Sequence, residues 1–396
     1  MSAGTHAPGA WLRATALAAA AATALAVVSG VLRLGAAHAL LAALALPPLA
    51  AVGVAAWITH PRLRAGSAIS LGAFGAAALF TGRVPHLALA ALAFAATVVL
   101  AAQMFRGEPV SPAPWRDYVT MTKPRIMSLL LVTGAAGAFV GAGRAPSPRV
   151  LGVTLLGLAL ACGGASSLNH VLDADLDRRM RRTGDRPVAA ARVPSFRAVE
   201  FGLALSAFSF VLLATLVNLT AAALALAGNL FYVLVYTRWL KRATPQNIVI
   251  GGAAGAVPPL VGYAAARGNV TLTALFLFAV VFLWTPPHFW SLALLLRKDY
   301  EAAGVPMLPV VRGERETTRQ ILRYSFVLAA LTLLPLAWGA FGVAYLVAAA
   351  VLGATFVGLA VRLRWDVKPA RARALFHFSL AYLALLFVVM AIDPLV

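Results

Sequence analysis

The stretch Leu151-Gly152-Val153-Thr154-Leu155-Leu156-Gly157-Leu158-Ala159-Leu160-Ala161-Cys162-Gly163-Gly164-Ala165-Ser166-Ser167-Leu168 runs without a charge into Asn169-His170-Val171-Leu172-Asp173-Ala174-Asp175-Leu176-Asp177. About 20 apolar residues are what a helix needs to cross a ~30 Å hydrocarbon layer. The acids that end the run mark a membrane boundary. Working outward with the same ruler gives thirteen candidate spans. Four form an N-terminal section, 1–105, at roughly 11–32, 38–58, 67–82 and 86–105. Nine follow in 126–396, at roughly 126–143, 150–170, 199–217, 219–236, 247–266, 271–292, 323–341, 343–361 and 375–392. Residues 106–125, with Pro109, Pro112 and Pro114, read as the linker between them. The expectation is an all-α polytopic membrane protein, a nine-helix bundle preceded by about four extra transmembrane helices.

Composition agrees. The chain is 61% hydrophobic and 12% charged, half the ~25% charge of an average soluble domain. That excludes a disordered chain, a disulfide scaffold and an ordinary soluble enzyme. The lone Cys162 can form no internal disulfide and reads as a small buried hydrophobe. The apolar run after Arg13 is longer than a secretory signal core and other spans follow it, so it reads as an uncleaved helix. A net charge of +20 in such a chain reports topology rather than nucleic-acid binding. Within the nine-span section, alternate loops hold 25 Lys and Arg on one side against 3 on the other. Basic loops stay in the cytoplasm, which puts the 171–198 loop inside a plasma membrane, bacterial rather than mitochondrial for want of a transit-peptide pattern.

Four of the thirteen acids fall within 173–185. Asn169, Asp173 and Asp177 are spaced i, i+4, i+8, so a continuing helix carries them on one face, about 6 Å apart in rise; Asp175 points elsewhere. Two carboxylates that close repel by about 3 kcal/mol at an effective dielectric of ~20, which a cation between them relieves. Hard oxygen ligands favour Mg²⁺ shared with substrate phosphates. The arginines that follow, Arg178, Arg179, Arg181, Arg182 and Arg186, suit a phosphate ligand. Together these describe a pyrophosphate site with Asp173 and Asp177 on the metal; a solvated loop of mixed charge is the plain alternative. Arg238, Lys241 and Arg242 add cations on the same side. Trp284-Thr285-Pro286-Pro287-His288-Phe289-Trp290 places a histidine among aromatics at membrane depth, where the double proline should break or kink the helix.

The stretches Asn169–Thr183, Arg186-Pro187, Tyr236–Ala265, Leu283–Trp290 and Lys298–Val311 resemble haem O synthase (protohaem IX farnesyltransferase), of the intramembrane prenyltransferases related to the quinone-forming 4-hydroxybenzoate enzymes. The likeness runs from about 117 to 393. It implies a nine-helix prenyltransferase bundle around a chamber. It also implies transfer of farnesyl from farnesyl diphosphate to a vinyl group of protohaem IX, with water addition, giving haem O and diphosphate for haem-copper oxidases. On that pattern Asp173 and Asp177 hold Mg²⁺ with Asn169 in support, and Arg182, Arg186, Arg238, Lys241 and Arg242 neutralise the diphosphate. Trp284, Phe289, Trp290 and Tyr263 line the chamber. His170 or His288 ligates haem iron, or neither does. Of a second aspartate pair only Asp299 stands, with Leu295 four residues upstream. Implied partners are the two substrates, the bilayer, and haem A synthase or oxidase assembly proteins, with no nucleic acid. Other readings are a prenyltransferase for another aromatic acceptor, or a membrane carrier of haem or anionic lipid. In the N-terminal section a rough repeat leads to His38 and to His86; it is faintly similar to half of a haem A synthase, which would make the pair a second haem site, and a degenerate or packing module is the other reading.

Overall fold

A computed structural model describes residues 10–31, 36–59, 63–79, 83–104 and 113–395. They are helical throughout, with no strand among them. The N-terminal section is four helices, α1 (Ala10–Val31), α2 (Ala36–Thr59), α3 (Arg64–Leu79) and α4 (Arg83–Met104). The first part of the expected linker, 106–112, lies outside the described residues. Its second part is not a free tether: Trp115–Met121 forms a short helix, α5, with Asp117 and Met121 buried.

Nine rods follow: α6 (Pro124–Ala142), α7 (Pro148–Leu172) with its short continuation α8 (Ala174–Asp177), α9 (Ser195–Leu216), α10 (Leu219–Leu230) prolonged by a π-helical segment Phe231–Leu240 and α11 (Lys241–Ala243), α12 (Asn247–Gly255) with α13 (Val257–Arg267), α14 (Leu272–Leu295), α17 (Gly313–Leu333), α18 (Val343–Trp365) and α19 (Pro369–Ile392). The connection after α14 holds α15 (Arg297–Ala302) and α16 (Leu308–Val311). Eleven helices among the described residues are long and apolar enough to cross a membrane. The other two N-terminal helices, α3 and α4, run to 16 and 22 residues.

Neighbouring rods pack in chain order, and α19 returns to α6, so the nine close into a ring. Lipid offers no hydrophobic drive between helices, so close approach of backbones carries the packing. The α6–α13 seam shows it. Gly134, Gly137 and Gly141 face Pro258, Pro259, Gly262 and Tyr263 so closely that a Cβ built at Gly262 would collide with the Gly134 carbonyl. Hydrogen bonds secure the ends: the Ser147 hydroxyl accepts from Val150 N (3.2 Å) at the start of α7. Asn218 caps α10 through Ala221 N (2.8 Å) and reaches across to the Ala264 carbonyl (2.9 Å). The N-terminal helices lean on the ring from outside, Val27 of α1 and Ala90 and Phe94 of α4 meeting Phe208, Phe210 and Val211 of α9.

One local expectation, a break at the double proline, is not met. The Pro286-Pro287 pair does not break α14, which is continuous from Leu272 to Leu295. Proline's φ near −65° suits a helix, and both flanks are braced on α19: Trp284 Nε1 donates to the Ser379 carbonyl (2.7 Å), and His288 Nδ1 bonds the Ser379 hydroxyl (2.6 Å). The interruption falls instead at Ala256, ahead of Val257-Pro258-Pro259, where α12 gives way to α13.

Gly262→Val should lower the unfolding temperature in detergent markedly, since backbone overpacking costs about 1–3 kcal/mol. Gly152→Ala, where a Cβ meets nothing within 4 Å, should leave it unchanged or slightly raised.

Candidate active site

The helix expected to run through 169–177 bends at Asp173, whose φ of −98° and ψ of 1° end α7 before α8 resumes. The turn-to-turn bonds survive the bend: Asp173 N donates to the Asn169 carbonyl (2.9 Å) and Asp177 N to the Asp173 carbonyl (2.8 Å). The three side chains therefore stay one turn apart. All are buried, Asp173 at 0% and Asp177 at 1% exposure.

A buried carboxylate must be paired or neutralised. Each acid here is met by its own side-chain cation. Lys241 Nζ donates to Asp173 Oδ2 at 2.5 Å. Arg186 Nη1 bridges both oxygens of Asp177 at 2.9 and 2.8 Å. Asn169 Nδ2 donates to Asp173 Oδ2 (2.7 Å) and to Thr237 Oγ1 (3.2 Å) in the π-helical segment. Its Oδ1 accepts from Lys123 Nζ at 2.7 Å. Four separate segments thus meet: the start of α6, the end of α7 with α8, the 178–194 loop and the end of the α10 rod. Arg242 turns aside to Asp175, donating to both carboxylate oxygens (2.8 and 2.7 Å) and to the Leu172 carbonyl (2.6 Å). That pairing holds the Asp175 carboxyl down at about 2.

Lys123 and Thr237 were missed by sequence reasoning. A lysine before a proline at a membrane boundary looks like any topogenic charge. Its role comes from a left-handed backbone, φ 53° and ψ 60° at the start of α6, which points the amine inward. Burial, with Arg186 and Lys241 adding repulsion, brings its pKa down to about 7. The loop bearing Arg186 is pinned in turn: Arg192 Nε donates to both oxygens of Asp117 (3.2 Å) and Nη2 to the Asp185 carbonyl (2.8 Å). Ser166 Oγ donates to the Met121 carbonyl (2.6 Å), tying α5 to α7.

The remaining expected residues divide. His170, one turn before Asp173, is buried with both ring nitrogens unpartnered. Tyr300 is buried and lies beside Arg182 and Arg186; burial raises its phenol's pKa while those cations pull it down. The second motif therefore brings a phenol toward the arginines, while Asp299 is half-buried with no ion pair among the described residues and Leu295 packs in the apolar core. Arg182 and Arg238 are exposed. His288 stacks between Trp284 (4.3 Å, 16°) and Phe376 (4.8 Å, 22°), with Phe289 edge-on (5.3 Å). Because the Ser379 hydroxyl donates to the Phe376 carbonyl (2.6 Å), it accepts from His288 Nδ1, leaving Nε2 as the lone-pair nitrogen. Trp290 faces the other way, against Tyr324 (5.5 Å) and a cavity of about 140 Å³ with Gln246, Arg312 and Gln320. Tyr263 is not brought to this end at all: its hydroxyl bonds Thr271 Oγ1 (2.7 Å) near Arg267, at the opposite membrane face. In the N-terminal section His38 and His86 do meet, with ring centroids 5.7 Å apart.

Among the described residues no three His, Cys, Asp or Glu side chains group as a metal cage. A cation shared with a substrate phosphate needs fewer protein ligands, and the buried Asp173 Oδ1 has no partner. That orphaned oxygen fits a hard divalent ion.

Arg186→Leu would leave Asp177 buried without its cation, and removing one partner of such a pair costs about 3–5 kcal/mol. A large fall in detergent unfolding temperature is expected. Arg242→Ala breaks a pair exposed by 32% and 47% and should shift it little.

Residues 130–386 match the UbiA prenyltransferase family. The chain is 46% identical over 337 residues to a protoheme IX farnesyltransferase of Roseiflexus sp. (strain RS-1), covering 79% of this chain and 63% of that protein. It is 52% identical over 280 residues to one of Symbiobacterium thermophilum, covering 70% and 94%. The chain thus spans under two thirds of the Roseiflexus relative and nearly all of the Symbiobacterium one. Among solved structures, one reported for digeranylgeranylglyceryl phosphate synthase aligns with a TM-score of 0.60 at 16% identity, over 71% of this chain and 98% of that one. The matched residues cover most of the ring, and the chain belongs to the UbiA prenyltransferase family.

Proposed function

We propose that this membrane prenyltransferase transfers farnesyl from farnesyl diphosphate to the vinyl group of protohaem IX, with addition of water, giving haem O and diphosphate. The observation that carries the diphosphate half is the cluster at the α7 terminus, two buried carboxylates one turn apart with Lys241 and Arg186 paired to them and Lys123 on the adjoining Asn169. Cations outnumber acids there, which suits an anionic leaving group. The haem acceptor is supported by the names of relatives 46% and 52% identical to the chain.

Asp173 and Asp177 would hold Mg²⁺, which stabilises charge developing on the leaving oxygens when bound. Lys241 and Arg186, now on the carboxylates, are placed to turn to the diphosphate as it arrives. Lys123 is held charged by the same anion. Asn169 orients Asp173 and, through Thr237, fixes the π-helical segment against it. The apolar interior of the ring keeps water from the allylic cation until the vinyl carbon has reacted, and Trp284 and Phe289 offer ring faces to it. His170 and His288 both keep a lone-pair nitrogen for haem iron or for positioning. The 25-to-3 distribution of basic residues supports a cytoplasmic Asp173 end, and the bacterial relatives support a plasma membrane.

Purified protein in detergent, given protohaem, farnesyl diphosphate and Mg²⁺, should yield a porphyrin heavier by a hydroxyfarnesyl group together with free diphosphate. Asp173→Ala, Asp177→Ala or removal of Mg²⁺ should abolish both products. Lys123→Ala should raise KM for farnesyl diphosphate by at least tenfold. An unchanged porphyrin mass with haem uptake intact would sink the reading in favour of another acceptor or a carrier.

A further inference from the structure

The N-terminal four helices take no part in the chemistry above, yet they bring two of the chain's seven histidines into ring contact. His38 stands at the start of α2 and His86 at the start of α4. Nearby Val27 and Ala90 pack on Phe208, Phe210 and Val211, in the half of α9 remote from Asp173. The pair is therefore at the membrane face opposite the diphosphate cluster.

Hydrogen bonds fix both tautomers. His38 Nδ1 lies 3.0 Å from the Ala26 carbonyl, and His86 Nδ1 lies 2.7 Å from the Ala77 carbonyl. A carbonyl only accepts, so each Nδ1 carries the proton and each Nε2 is left as a bare lone pair. Neither Nε2 has a partner among the described residues. Both rings line one cavity of about 70 Å³ whose other walls include Ala26, Ala42, Phe74, Ala77 and Ala90. The hydroxyls close by are already committed, Thr23 to the Ala19 carbonyl and Ser29 to the Ala26 carbonyl. Protonating a ring would supply a donor, but residues 1–107 contain no acid to balance the charge.

Two acceptors left unpartnered beside an apolar cavity, with no free donor among the described residues around them, suit a Lewis acid. Metal-ligating histidines typically donate the other ring N–H to a backbone carbonyl, as both do here. Metal–nitrogen bonds of about 2.0–2.1 Å place two imidazole centroids on the order of 5–6.5 Å apart, and the observed 5.7 Å at 84° falls inside that range. Imidazole suits zinc, copper, iron and nickel. The cavity has room for an ion and water, not for a macrocycle. We propose that His38 and His86 form a two-imidazole seat for one late-transition-metal ion in the N-terminal bundle.

The test uses the full chain in detergent, carrying Asp173→Asn and Asp177→Asn so that the carboxylate site takes no ion. After chelation it is reloaded with Zn²⁺ or Co²⁺. Elemental analysis should find one ion per chain, and X-ray absorption two imidazole nitrogens on it. His38→Ala and His86→Ala should each abolish that ion, while His377→Ala, at an exposed histidine outside the pair, should retain it. If alanine disturbs folding, seen as loss of a monodisperse detergent peak, His38→Gln and His86→Gln read the same loss with the volume kept. No bound ion, or binding indifferent to the two histidines, overturns the proposal. So does haem uptake that needs both histidines and excludes the ion, which would return the pair to the haem reading.

Discussion

Two carboxylates shut away from water at a membrane boundary set the terms for this end of the molecule. Asp173 and Asp177 are too buried to be charged alone, and burying a charge is tolerable only when it is paired and hydrogen-bonded. The pairing draws Lys241 from the end of the α10 rod and Arg186 from the loop after α8. Asn169 extends the network to Lys123 at the start of α6 and to Thr237. The ends of three rods of the ring, and a loop that would otherwise be free, are thereby locked to one another. The lock is electrostatic and therefore exchangeable: an arriving polyanion competes for the same cations. A site so built is ordered before its ligand comes and can still hand charge over to it.

The rest of the ring provides a frame that does not yield. At the α6–α13 seam glycines let backbones touch, and α14 is anchored to α19 through Ser379, which receives both Trp284 and His288. That double anchor explains how a helix carrying Pro286-Pro287 stays continuous, and it orients His288 within an aromatic stack. One serine on the last helix so governs two residues of a motif ninety positions earlier. The N-terminal four helices add a layer outside α9 rather than a wall of the ring. Their two histidines point to chemistry of their own at the far membrane face.

The difference between the two halves of the site is also physical. At the α7 end, aspartates at every turn meet separate cations. At the α14 end, Leu295 occupies the position where a second carboxylate would stand, and Tyr300 is the buried polar group beside Arg182 and Arg186. A phenol there can hold arginines in place without adding another buried negative charge.

The sequence by itself determined the class and the count of rods, because span length and apolarity are local properties set by bilayer thickness. It also determined that Asn169, Asp173 and Asp177 share a face, because a period of 3.6 survives even a bend at Asp173. What it could not tell was which cation serves which acid. Lys241, Arg186, Lys123 and Arg242 are alike as basic residues near a boundary, and only the folded chain sends the first three inward and Arg242 out to Asp175. Nor could spacing say that Pro286-Pro287 would be braced, since that depends on Ser379 about ninety residues away. Local periodicity wrote the helices; long-range pairing of buried charge decided what they were for.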